Sequence, residues 1–137
     1  LILDQFFPEH FRDVHLCAEE RGISIAEAER MLVGMDHGAI GAKLLERWRL
    51  PENIVAAVMH HHYPGNARPP FRALAQAVHL ADSICTLLDI GDGGDGHIRG
   101  FSEGAWHDLD LSTNDIPDII QQIIAEADRC DAFLSFC

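Results

Sequence analysis

A chain of 137 residues has room for one domain with a real core and hardly for two. Apolar residues make up 47% and charged residues 23%, an ordinary globular balance, and no apolar run is long enough to cross a bilayer. The formal net charge of −12 argues against nucleic acid and anionic membrane surfaces as partners, because binding to both depends on Lys and Arg.

The chain opens on Leu1-Ile2-Leu3, an apolar run with no helix start signal and no initiating Met. That pattern predicts a cut through a structural element, hence a fragment of a longer protein. The same few residues are the only place where a strand-like alternation is suggested. Pro8 then opens a first helix carrying Phe11, Val14 and Cys17/Ala18, stopped at Gly22. Ser24 with Glu27 forms a capping box for the next helix. This second helix is expected to run, with a bend near Gly34, through Leu44, Leu45 and Trp48. Gly34, Gly38 and Gly41 each cost about 1 kcal/mol relative to Ala inside a helix. Together they predict close approach by another backbone or a local break.

Pro51 sits where a first-turn proline belongs. The third helix carries Ile54, Val55, Val58 and Met59 and runs into His60-His61-His62. Residues 63–70 read as a loop. A fourth helix comes next, with Phe71, Leu74, Val78, Ala81, Cys85 and Leu88. Gly91 to Gly96 reads as a flexible loop without EF-hand spacing. Residues 91–114 are expected to be loop or irregular insertion, with Trp106 and Leu109 in a short segment before the last helix. That helix, 115–136, carries Ile116, Ile119, Ile120, Ile123, Ala127, Cys130 and Leu134 at helical spacing. The four cysteines form no CxxC pair, so they are read as reduced thiols of a cytoplasmic helical protein.

His61 lies seven residues after Ile54 and His62 four after Val58, so both tend toward the apolar face, with His60 nearer the outside. Asp82 lies four residues after Val78 and eight after Leu74, inside the fourth helix's apolar stripe. A buried carboxylate must be hydrogen-bonded, paired or metal-bound. His37 lies one turn before Gly41. Imidazoles and a carboxylate on three helices suit a divalent transition metal: iron, manganese, zinc or nickel. The structural alternative is that the histidines cap helix carbonyls and that Asp82 caps a loop or pairs with Arg68 or Arg72.

The stretch Gly34-Met-Asp-His37-Gly-Ala-Ile-Gly41 through Trp48-Arg-Leu-Pro51 resembles the HDOD domain, a relative of the HD phosphohydrolases. So do Ile54 through His61-His62-Tyr-Pro64 and Val78-His-Leu-Ala-Asp82. The resemblance implies an all-α, HD-like helical bundle, of which residues 1–137 would be the C-terminal portion. In the catalytic HD relatives an upstream His-Asp doublet supplies central metal ligands, and later histidines and a final aspartate complete the site. His37, His61 or His62, and Asp82 match those later ligands. The doublet is not matched: Asp36-His37 has the reverse order and the later histidine's place. The opening Leu1 to Phe7 resembles the family's segment directly after the doublet, so the missing ligands would lie before Leu1. Tyr63 stands where the HD-GYP branch has a Glu, which argues against cyclic di-GMP hydrolysis.

The resemblance therefore implies a signalling or regulatory module with half of an ancestral metal site. Its expected partners are signalling protein domains (sensor, receiver or cyclic-dinucleotide-related modules), with self-association compatible and neither nucleic acid nor membrane insertion expected. The alternative is an HD-type metal-dependent phosphohydrolase whose doublet lies upstream.

Overall fold

The computed structural model describes residues 2–90 and 100–134. Among these the chain is all helical, as expected, with eight α-helices and a single 3₁₀ turn. They are α1 (Ile2–Phe6), α2 (Pro8–Arg21), α3 (Ile25–Leu32), α4 (His37–Arg47), α5 (Glu52–His60), the 3₁₀ turn (Pro64–Asn66), α6 (Pro69–Leu87), α7 (Glu103–Asp108) and α8 (Ile116–Leu134). No described helix is long and apolar enough to cross a membrane. Cys17, Cys85 and Cys130 are unbridged.

Local chemistry accounts for most of the boundaries. Proline opens α2 and α6. The Ser24–Glu27 capping box forms as expected, with Ser24 N–H donating to Glu27 Oε2 at 3.1 Å and Glu27 N–H to Ser24 Oγ at 3.3 Å. The expected long second helix is interrupted completely. Gly34 takes φ +86°, outside the helical range, and Asp36 caps a new helix by accepting from Ala39 N–H at 2.9 Å. Residues 2–6 are helix rather than strand, and residues 103–108 of the expected irregular stretch form α7. The Gly91–Gly96 loop expectation lies outside the described residues.

Four helices end in one way. Gly22, Arg49, Asp89 and Asp110 are left-handed, at φ 62°, 60°, 56° and 52°. Each is succeeded by an aliphatic residue whose N–H closes back on the last turn: Ile23 to Ala18, Leu50 to Leu45, Ile90 to Cys85, Leu111 to Trp106. Only the first of these turns uses glycine. The other three carry a left-handed penalty of about 1 kcal/mol each.

The helices build two cores. Val14, Ala18, Ile25 and Ala28 join α2 to α3, with Cys17, Ile23 and Val33 packed around them. Ala42, Val55, Ala57, Ala75, Leu80 and Ile84 are buried along α4, α5 and α6, which pack in sequence. The second core is rich in alanine, so its helices lie close together. Gly38 and Gly41 sharpen this. A Cβ on Gly38 would meet the Val58 carbonyl oxygen at 3.0 Å, and one on Gly41 would meet Val58 Cγ1 at 3.1 Å. Both outcomes expected of the glycines thus occur, a break at Gly34 and close approach at the other two.

The buried face of α6 differs from the expected stripe. It is Ala75, Gln76, His79, Leu80, Ser83 and Ile84, whereas Leu74, Val78 and Asp82 are exposed. The helix is rotated because its polar residues find partners inside: Gln76 Nε2 donates to Asp108 at 3.3 Å and His79 Nδ1–H to the His61 carbonyl at 2.8 Å. The isoleucine stripe of α8 is half-buried, with Ile124 exposed.

Candidate metal centre

His37 is the first residue of α4, and His61 and His62 come directly after the last turn of α5. The close α4–α5 packing allowed by Gly38 and Gly41 brings these helix ends together. His37 and His62 have ring centroids 4.5 Å apart, His61 and His62 3.7 Å, and His37 and His61 5.4 Å. Their nitrogens lie within 4.8 Å of one another, a group that could hold a metal ion. His62 is buried and His37 is open to solvent, so the cluster has an inner wall and an outer mouth. His60 is not a member. Nor is Asp82, which is exposed on α6, so the inward stripe expected to carry it is corrected.

The hydrogen bonds set which nitrogens carry lone pairs. Glu29, on α3 and only 1% exposed, accepts at one carboxylate oxygen from both the backbone N–H of His37 and its Nδ1–H, each at 2.7 Å. That makes Nε2 the lone-pair nitrogen of His37. His61 Nδ1–H donates to the Val58 carbonyl at 2.7 Å, which puts the lone pair of that ring on Nε2 in the same way. A carboxylate behind an imidazole is the usual support of a metal-binding histidine, fixing tautomer and orientation.

His37 Nε2 and His62 Nε2 are 2.7 Å apart. Two nitrogens on one tetrahedral zinc, each about 2.0–2.1 Å from it, would lie about 3.3 Å apart. The pair is therefore an N–H···N hydrogen bond with one proton between the rings. The donor set fits a divalent metal by type, and His37 and His61 fit it by tautomer. Binding one needs that proton removed and the two rings parted by a few tenths of an ångström.

Arg30, next to Glu29, holds the neighbouring backbone. Its Nη1 donates to Asp36 Oδ2 at 3.1 Å and its Nη2 to Tyr63 Oη at 2.6 Å, with the guanidinium 4.7 Å from the Tyr63 ring centre. His79 holds the other side through the His61 carbonyl. Sequence reasoning does not single out Glu29, Arg30 or His79. Glu29 does carry a readable signal: it lies four residues after Ile25 and one after Ala28, on the buried face of α3. An acid at such a position requires a partner.

Comparison with known proteins agrees with the sequence reading. Residues 1–64 match the family model described as the HDOD domain. A protein of Treponema pallidum (strain Nichols), described only as an uncharacterized protein, is 26% identical over 89 residues, which is 65% of this chain. The aligned stretch spans 17% of that relative's length. No solved structure gives a significant match. The segment that matches the HDOD model contains His37, His61 and His62 together with the Glu29 and Arg30 that hold them.

Proposed function

We propose that this chain is a non-catalytic, at most weakly metal-binding regulatory module of a bacterial signalling protein, acting in the cytoplasm through contacts with other protein domains. The observation that carries the reading is the donor set. The cluster consists of three imidazoles, and the Glu29 carboxylate behind it is engaged by His37 through both of its N–H groups. Two-metal phosphoester hydrolysis draws on carboxylates and a nucleophilic water between the ions. Three imidazoles suit one ion. Tyr63, in the place of the HD-GYP Glu, is a phenol held by Arg30.

A second reading is an HD-type phosphohydrolase, favoured by the Glu29–His37 support of a ligand-ready imidazole. A metal held by His37, His61 and His62 would supply an activated water for attack at phosphorus. By resemblance Asp82 would add a carboxylate, from its exposed position on α6.

The two readings separate in one experiment. Full-length protein purified without chelator is analysed for transition metals, then assayed on phosphodiesters and nucleotides with added Mn²⁺ or Fe²⁺. The module reading expects no turnover and less than one metal per chain. Hydrolysis that disappears in His37→Ala overturns it.

A further inference from the structure

Three of the chain's ten Lys and Arg residues, Lys43, Arg47 and Arg49, fall within residues 43–49, at the end of α4. All three are exposed. Among the described residues none of them makes a side-chain ion pair or hydrogen bond, although Arg30, Arg68 and Arg129 all do. Two acids lie nearby in sequence. Glu46 is on the same helix, and Glu52 is engaged by Arg68. In their midst Trp48 is 62% exposed.

Cations beside the last carbonyls of a helix are favourable in themselves, which accounts for Lys43 and Arg47. It accounts neither for the open indole nor for Arg49, whose left-handed backbone would suit glycine better. Tryptophan and arginine are the side chains that most often anchor protein interfaces, and guanidinium groups pair carboxylates in a bidentate fashion.

We propose that the end of α4, formed by Lys43, Arg47, Trp48 and Arg49, docks an acidic amphipathic peptide segment of a partner protein. Its carboxylates meet the three cations, and an apolar side chain packs on the Trp48 ring. This rests on the reading of the chain as an interaction module and names the partner's chemistry. Charge complementarity selects the occupant. A long polyanion such as nucleic acid would extend past the patch onto a surface belonging to a −12 chain. A second copy brings another −12 of its own. A short acidic segment covers the patch alone.

The test is fluorescence anisotropy of a labelled amphipathic peptide of Leu and Glu, titrated with full-length protein at low salt. Binding is expected to weaken at least about tenfold in Trp48→Ala and in the double variant Arg47→Glu/Arg49→Glu. It should also weaken between about 50 and 200 mM salt. Arg129→Glu, on α8, should bind as wild type does, and circular dichroism confirms that each variant is folded. The proposal is overturned if the peptide does not bind, or if Arg129→Glu loses as much as the patch variants. Tighter binding of single-stranded DNA with the same residue dependence also overturns it, as does self-association that Trp48→Ala abolishes. Peptide binding indifferent to the patch removes this surface while leaving the module reading intact. Hydrolytic activity removes that reading without bearing on the peptide.

Discussion

The α4–α5 pair and α8 are built on opposite terms. Helix α8 has 19 residues and a stripe of isoleucines, yet that stripe is only half-buried. Helices α4 and α5 have 11 and 9 residues and meet through Gly38, Gly41, Ala42, Val55 and Ala57, with little hydrocarbon between them. The shorter pair is the better located. Missing side chains let its backbones approach, and Glu29, Arg30 and His79 then tie its ends with directional bonds. A broad apolar stripe gains stability wherever it finds cover and sets no distance. A histidine cluster needs its atoms placed to within about half an ångström, so it belongs on the first kind of contact.

That comparison can be broken most easily at Glu29. Glu29→Ala removes the buried carboxylate that two donors of His37 share, and should cost about 2–4 kcal/mol in urea unfolding. Ile124→Ala, on the exposed side of α8, should cost about 0.5 kcal/mol or less in the same assay. Equal losses would mean that the polar ties do not distinguish the regions.

Gly38 and Gly41 sharpen the point. An added methyl at Gly38 meets a backbone carbonyl and the His61 ring, at 3.0 and 3.3 Å, and Gly38→Ala should destabilise by about 1–3 kcal/mol. At Gly41 the methyl meets one methyl group of Val58, at 3.1 Å, which has to give by only a few tenths of an ångström. Gly41→Ala should come within about 1 kcal/mol of wild type, because the gain in helix propensity offsets the crowding. Thermal unfolding of the two variants side by side decides this.

The smallest effect lies before α8. The Ser112 hydroxyl and then its backbone N–H donate to Asp115, each at 2.7 Å, and hold its carboxyl below the usual value. A lowered folded pKa means stability that is present above the unfolded pKa and lost as pH falls through the folded one. Asp115→Asn should therefore abolish a weak acid-side loss of order at the start of α8. NMR titration of the residue 112–116 amides would show it, and an identical titration in both proteins would refute it.

Legibility in the sequence divides along the same line. Local devices are readable: Pro8, Gly22, and Ser24 with Glu27 all act where their chemistry places them. The inward lean of His61 and His62 is readable from their register, and the resemblance to the family adds His37 to them. Helices α1 and α7, at 5 and 6 residues, are too short for a period to register. The face of α6 escapes periodicity, which counts apolar side chains, whereas this helix buries Gln76, His79 and Ser83. Glu29 escapes it for the same reason. A glutamate is assigned to the surface unless the pattern around it is allowed to overrule its charge.

His37 occupies the first turn of α4, so the positive end of that helix's dipole lies beside the three imidazoles. Alone, such an end attracts anions and disfavours cations. The carboxylate of Glu29 sits on it, bound to the leading N–H, and opposes that half-charge where it would matter most. The bond that orients one ring thus also sets the sign of the field across the cluster. A chain with Gln at position 29 could keep the geometry and reverse the ion it welcomes.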